Sequence, residues 1–158
     1  MSLGSVTIRP ALSSDEINVV RTLFEEYAAE LDMDLGYQRF ADELVDLPGA
    51  YAPPRGRLLI AWLGDEAAGC VALRPLADDV CEMKRLYVRP AFRNNGLGKQ
   101  LAEAIIAEAR QIGYATMRLD TVPKLEAATR LYESLGFTRR DAYYNTPVPE
   151  TIFMERKL

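Results

Sequence analysis

From Val80 to Asp120 the chain reads VCEMKRLYVRPAFRNNGLGKQLAEAIIAEARQIGYATMRLD. Val80 to Val88 mixes Val, Met, Leu and Tyr with charges, which predicts a strand, and Pro90 stops it. Asn95 to Ile112 then carries Leu97, Leu101, Ala104, Ile105, Ala109 and Ile112 at helical spacing, with Gly113 placed as the C-terminal cap. Thr116 to Asp120 reads as a short strand. A strand, helix, strand unit of this length implies a right-handed crossover and a parallel pair of strands.

Working outward, Val6 to Arg9 alternates like a short strand. Ser13 and Glu16 make a capping box before Ile17, Val20, Leu23, Phe24, Tyr27 and Leu31, which recur on one helical face. A weaker helical stretch, Tyr37 to Leu47, ends at Pro48, and the turn-rich Pro48 to Gly56 leads into a strand at Leu58 to Leu63. Gly64-Asp65 suggests a hairpin into Ala67 to Leu73. After the central unit, Glu126 to Leu135 predicts a helix ended by Gly136, and the tail offers strands near Arg139 to Tyr144 and Thr151 to Lys157. The expected class is α/β, with a mixed, mostly antiparallel sheet flanked by helices in a single domain over residues 1–158.

At 158 residues the chain can bury a real core, and its 49% hydrophobic and 27% charged composition is that of a globular protein. Its apolar runs, such as Leu58 to Leu63, are too short to span a membrane, and the N-terminus lacks the pattern of a signal peptide, so a cytoplasmic location is expected. Cys70 and Cys81 lack metal or disulfide spacing, and the chain has no histidine, so no metal is expected. The net charge of −4 argues against nucleic acid as a partner. Lys84, Arg85, Arg89, Arg93 and Lys99 form a stretch without acids, whereas Glu25 to Glu43 holds seven carboxylates and one arginine.

Arg93-Asn94-Asn95-Gly96-Leu97-Gly98 lies between the clearest strand and the clearest helix. A helix N-terminus presents unpaired N–H groups and the positive end of a dipole, and glycines let the backbone approach a phosphate closely. A Walker loop would need Ser or Thr after Lys99, where Gln100 stands, and the dinucleotide fingerprint fails because Leu101 occupies its third glycine.

Together with Leu86-Tyr87-Val88 before it and Leu131-Tyr132-Glu133-Ser134-Leu135-Gly136-Phe137 after it, this loop resembles the GNAT superfamily of N-acetyltransferases. The family's coenzyme motif is Gln/Arg-x-x-Gly-x-Gly/Ala, and its later helix has the pattern LYxxxGF. The resemblance covers essentially the whole chain and implies acetyl-CoA as cosubstrate. It implies that Leu86, Tyr87 and Val88 lie beside the pantetheine arm, that Arg93, Asn94, Asn95, Gly96, Leu97, Gly98 and Lys99 cradle the pyrophosphate, and that Tyr132 sits near the sulfur as general acid. Many relatives have Asn seven residues before that tyrosine, where this chain has Leu125.

A protonated amine cannot attack a thioester, so a group must take its proton, and without histidine that leaves Glu, Asp, Tyr, Lys, Cys or water. The resemblance points to Glu82 as the preferred base, where relatives often place a carboxylate, with Asp120, where some relatives place a base, and a water relay as the alternatives. Glu82 lies within the central strand and Asp120 at the end of the next. A covalent route through Cys81 would need an activated thiolate, so direct attack in a ternary complex is expected. The acceptor is read as a small-molecule or peptide amine. The carboxylates Glu30, Asp32, Asp34, Asp42 and Glu43 suggest a cationic one. A non-catalytic acyl-CoA sensor, another acyl donor or an alcohol acceptor, and a homodimer stay open.

Overall fold

In a computed structural model, which describes residues 5–158 apart from the Tyr37 side chain, the elements follow in the expected order. They are β1 (Val6–Pro10), α1 (Ser14–Leu31), α2 (Phe40–Asp46), β2 (Arg57–Leu63), β3 (Glu66–Pro75), β4 (Val80–Val88), α3 (Leu97–Ile112), β5 (Thr116–Thr121), α4 (Glu126–Ser134), β6 (Thr138–Arg140) and β7 (Ile152–Lys157). The strands form one seven-stranded sheet in the order β1-β2-β3-β4-β5-β7-β6. β4 and β5 pair in parallel through the α3 crossover, and the other pairs are antiparallel. The fold is therefore the mixed α/β sheet expected. Among the described residues no helix is long and apolar enough to cross a membrane.

Local signals account for most boundaries. The Glu16 amide donates to Ser13 Oγ and the Ser13 amide to Glu16 Oε1, both at 3.1 Å, closing the capping box that starts α1. Gly113, at φ 108°, ends α3 with its amide donating to Ala109 and Arg110 carbonyls.

Two expected elements are corrected. The helix expected over Tyr37 to Leu47 is a 3-10 turn at Gly36–Gln38 followed by α2, separated by Arg39 at φ 56°. The Arg39 amide closes that turn on the Gly36 carbonyl, so a continuous α-helical ladder cannot run through it. The strand expected over Arg139 to Tyr144 stops at Arg140, because the chain leaves the sheet to carry Tyr143 and Tyr144 over it, where their hydroxyls donate to Glu82 and Asp120.

The two faces of the sheet carry separate cores. On one, Met83 of β4, Met117 and Leu119 of β5 and Met154 of β7 pack with Leu97, Leu101 and Ile105 of α3 and Tyr132 of α4. Leu97, Leu101 and Ile105 are each 1% exposed or less, worth about 1.5–3 kcal/mol apiece in apolar burial. On the other face Ile60, Cys70, Ala72 and Tyr87 pack with Val20, Leu23 and Phe24 of α1. Since Met83 faces α3, strand alternation turns Glu82 and Lys84 toward the α1 side.

Gly69 of β3 lies opposite Val88, and a methyl group there would stand 2.4 Å from the Tyr87 carbonyl oxygen. Gly69→Ala is expected to lower the unfolding free energy by about 3 kcal/mol or more, because backbone rather than a flexible side chain must move. A denaturant melt in which Gly69→Ala matches the parent would contradict this packing.

Candidate active site

Among the described residues β4 and β5 are joined at Val80↔Thr116, Cys81↔Met117 and Glu82↔Arg118. Past Glu82 no pairing links them among the described residues, and the strands part. On the β3 side the register steps from Ala72↔Lys84 to Cys70↔Tyr87, three residues of β4 against two of β3, with Arg85 at φ 61°. This bulge bends β4 and leaves the edge of Leu86, Tyr87 and Val88 that faces α4 without a strand partner.

A cleft of about 410 Å³ opens there, lined by Tyr27, Glu30 and Leu31 of α1, by Leu86 to Val88, by Arg93 and by Lys124 to Ala128. It adjoins a cavity of about 60 Å³ lined by Met83 to Leu86, Asp120, Thr121 and Tyr132, the two sharing Tyr27, Leu86, Leu125 and Ala128. The Lys124 ammonium donates to the Leu31 carbonyl at 2.6 Å, tying the start of α4 to the end of α1 across the cleft.

The glycine turn lies at the mouth. Asn94 and Gly96 adopt φ of 66° and 76°, and α3 begins at Leu97 with no side-chain cap. Its first amides therefore keep their capacity for an anion. A methyl group at Gly98 would meet Leu131 and Val88 at 3.8 and 3.9 Å, so the helix start borders the parted strands. Asn95 Nδ2 donates to the Arg93 carbonyl at 2.8 Å, and Lys99 is exposed. Arg93 is already engaged, its Nε donating to the Val88 carbonyl at 2.8 Å and a terminal nitrogen to Glu30 at 2.7 Å. An uncapped helix start, an unpaired strand edge and a cleft between them fit a long, phosphate-bearing thioester.

Tyr132 is 7% exposed, and no hydrogen bond ties its hydroxyl to another described residue. Burial, then the nearby Tyr27 and Asp120, push its phenol above the usual tyrosine range, so it stays protonated at neutral pH. Asp120 lines the same cavity and accepts from the Tyr144 hydroxyl at 2.5 Å. Glu82 does not line it. It is 1% exposed, with Oε1 accepting from Arg74 at 2.7 Å and Oε2 from the Tyr143 hydroxyl at 2.5 Å. Burial alone would raise its carboxyl, but the Lys84 and Arg74 charges and the Tyr143 bond outweigh that and hold it below the usual range.

The acidic and cationic runs do not stand apart as two patches. Arg85 donates to both Glu43 oxygens at 3.0 and 3.1 Å, Arg89 to both Glu26 oxygens at 2.9 and 2.8 Å, and Arg93 to Glu30. Asp42 pairs with Arg39, while Asp32 and Asp34 are exposed. The reason is that α1 and α2 lie over the bulged end of β4, so one run neutralises much of the other. Tyr27, Arg74, Tyr143 and Tyr144 also shape this region without having been singled out in the sequence. Only the Tyr143-Tyr144 pair offered a signal there, as aromatics in a short polar tail.

The family model described as the acetyltransferase (GNAT) family matches residues 17–137. An uncharacterized N-acetyltransferase from Schizosaccharomyces pombe is 38% identical over 162 residues, spanning 100% of this chain and 98% of that protein. Among solved structures, an acetyltransferase from Streptococcus agalactiae superposes with a TM-score of 0.79 at 22% identity over 98% of this chain and 99% of that one. A GNAT family acetyltransferase from Elizabethkingia anophelis with acetyl-CoA bound superposes with a TM-score of 0.70 at 22% identity, over the same shares. The chain belongs to the GNAT acetyltransferase family.

Proposed function

We propose that this protein transfers the acetyl group of acetyl-CoA to a primary amine by direct attack in a ternary complex. The observation that carries this reading is the Tyr132 hydroxyl, buried and free of protein hydrogen bonds among the described residues, on the cavity where β4 and β5 part. The bound thioester supplies an activated acyl carbon and a thiolate leaving group. The edge of Leu86 to Val88 that is turned away from β3 holds the pantetheine arm as a strand would, and the start of α3, from Gly96 to Lys99, receives the pyrophosphate. The relative from Elizabethkingia anophelis, which carries acetyl-CoA, supports that assignment by its fold.

The attacking nitrogen forms the amide bond as the carbon–sulfur bond breaks, and Tyr132 gives its proton to the departing sulfur. Asp120, facing the same cavity, takes the proton that the amine loses, directly or through water. Glu82 instead holds Arg74 and Tyr143 in place. A covalent acetyl-cysteine is disfavoured, since burial raises the Cys81 thiol to about 12 and its sulfur donates to the Thr116 carbonyl.

Thiol release from acetyl-CoA over a panel of amines tests the activity, and no release with any amine would defeat it. Within an active enzyme, Asp120→Asn is expected to lower kcat/KM by about 10²-fold or more. Glu82→Gln should chiefly lower the melting temperature, by leaving Arg74 without its counter-charge. A pH profile moved by Glu82→Gln and not by Asp120→Asn would exchange their roles.

A further inference from the structure

Resting on the acetyl-transfer reading of the same cleft, we propose that the acceptor carries a carboxylate within a few bonds of its amine. The Lys84 ammonium holds that carboxylate while Asp120 receives the amine, and free amino acids are the class that fits.

Lys84 and Asp120 line one cavity of about 60 Å³ with Tyr132, so a cation, an anion and the proposed acid meet where the reacting atoms would lie. The Lys84 side chain is only 9% exposed, yet the acceptors it reaches among the described residues lie at long range. They are Gln38 Oε1 at 3.4 Å and Glu82 Oε1 at 4.0 Å. Both oxygens already accept shorter bonds from arginines, Gln38 from Arg85 at 2.9 Å and Glu82 from Arg74 at 2.7 Å.

Among the described residues Glu82 is the one carboxylate within ion-pair distance of Lys84, and Asp120 is paired with no cation, accepting only from the Tyr144 hydroxyl. Arg118 and Arg140 share one oxygen of Glu155 at 2.8 and 2.7 Å, so this face sets Arg74, Lys84, Arg85, Arg118 and Arg140 against Glu43, Glu82, Asp120 and Glu155. Burial, then the Arg85 charge, hold the Lys84 ammonium below the usual lysine range despite the opposing pull of Glu82 and Asp120. A buried ammonium has three donors to satisfy and is costly to leave unpaired. A carboxylate supplies the missing acceptor through a charge-assisted bond, and the cavity has room for about one such group, since a water occupies roughly 30 Å³. Asp120 would repel a carboxylate alone but attracts the ammonium of a zwitterion, which rejects simple acids and simple amines alike.

The test measures thiol release from acetyl-CoA with free amino acids and with their matching carboxamides, for the parent protein and for Lys84→Met. Acetyl-CoA binding is followed in parallel by thermal shift. The expected result is a preference for acid over amide of about 10- to 100-fold in kcat/KM. Lys84→Met should erase that preference through KM while binding acetyl-CoA as the parent does, and Lys84→Arg should restore part of it. Equal or better use of amides, a preference that survives in Lys84→Met, or turnover confined to carboxylate-free amines would each overturn the carboxylate site and leave the acetyltransferase standing. A parent protein that binds acetyl-CoA but acetylates none of these acceptors also overturns it. Failure to bind acetyl-CoA would instead remove the acetyl-transfer reading beneath it.

Discussion

Tyr132→Phe is expected to lower the acetylation rate by about 10²- to 10⁴-fold while leaving acetyl-CoA affinity nearly unchanged. The ring is packed edge-on against Phe137 in the α3–α4 core, and the substitution keeps that contact. What it removes is one hydroxyl that no described residue holds, so the fold loses no hydrogen bond from it. A rate loss without a stability loss is thus the signature of a proton donor to the departing sulfur. Burial raises the phenol, which keeps the proton available across neutral pH. Single-turnover rates with saturating acetyl-CoA and an active amine measure the effect. An unchanged rate would return Tyr132 to the role of a core aromatic and leave protonation of the sulfur to solvent.

Gly96→Asp is expected to abolish most acetyl-CoA binding without unfolding the protein. A Cβ at Gly96 meets no atom within 4 Å, so the substitution is sterically open, although the φ of 76° adds strain. Asp tolerates the left-handed region better than most residues, and the conformational cost is about 1–2 kcal/mol. The carboxylate would sit at the positive end of the α3 dipole, where the phosphates are to bind, and repel them. For the parent, acetyl-CoA at about 100 times its dissociation constant should add roughly 2.7 kcal/mol of stability, read as a rise in melting temperature. The variant should show almost none of that rise, and Gly96→Ala should show an intermediate one. A folded Gly96→Asp protein that titrates like its parent would mean that the phosphates bind elsewhere.

The relation between sequence and structure differs from one part of the molecule to another. The crossover from Val80 to Asp120 was legible because a strand, an amphipathic helix and their glycine punctuation are each written within a few turns of chain. The same holds for the Ser13–Glu16 box and the Gly64 hairpin. The stretch from Tyr37 to Leu47 reads as one helix in the sequence, since its apolar spacing does not register the left-handed turn at Arg39. The tail was misread beyond Arg140 because Tyr143 and Tyr144 leave the sheet for partners 61 and 24 residues away in sequence.

By itself, then, the sequence determined the order of elements, the class of sheet, the glycine turn ahead of α3 and a short set of candidate groups at Glu82, Asp120 and Tyr132. Only the tertiary structure decided that β4 and β5 part after Glu82, that Asp120 rather than Glu82 shares a cavity with Tyr132, and that Lys84 lines that cavity too, with long contacts to Gln38 and Glu82. It also decided that the acidic run is spent on the cationic one, through pairs such as Arg85 with Glu43 and Arg89 with Glu26, which lie 42 and 63 residues apart. The physical reason is one of range. Helical periodicity, caps and turns are set by neighbours along the chain, whereas an ion pair depends on which faces of distant elements pack together, and no local pattern carries that information.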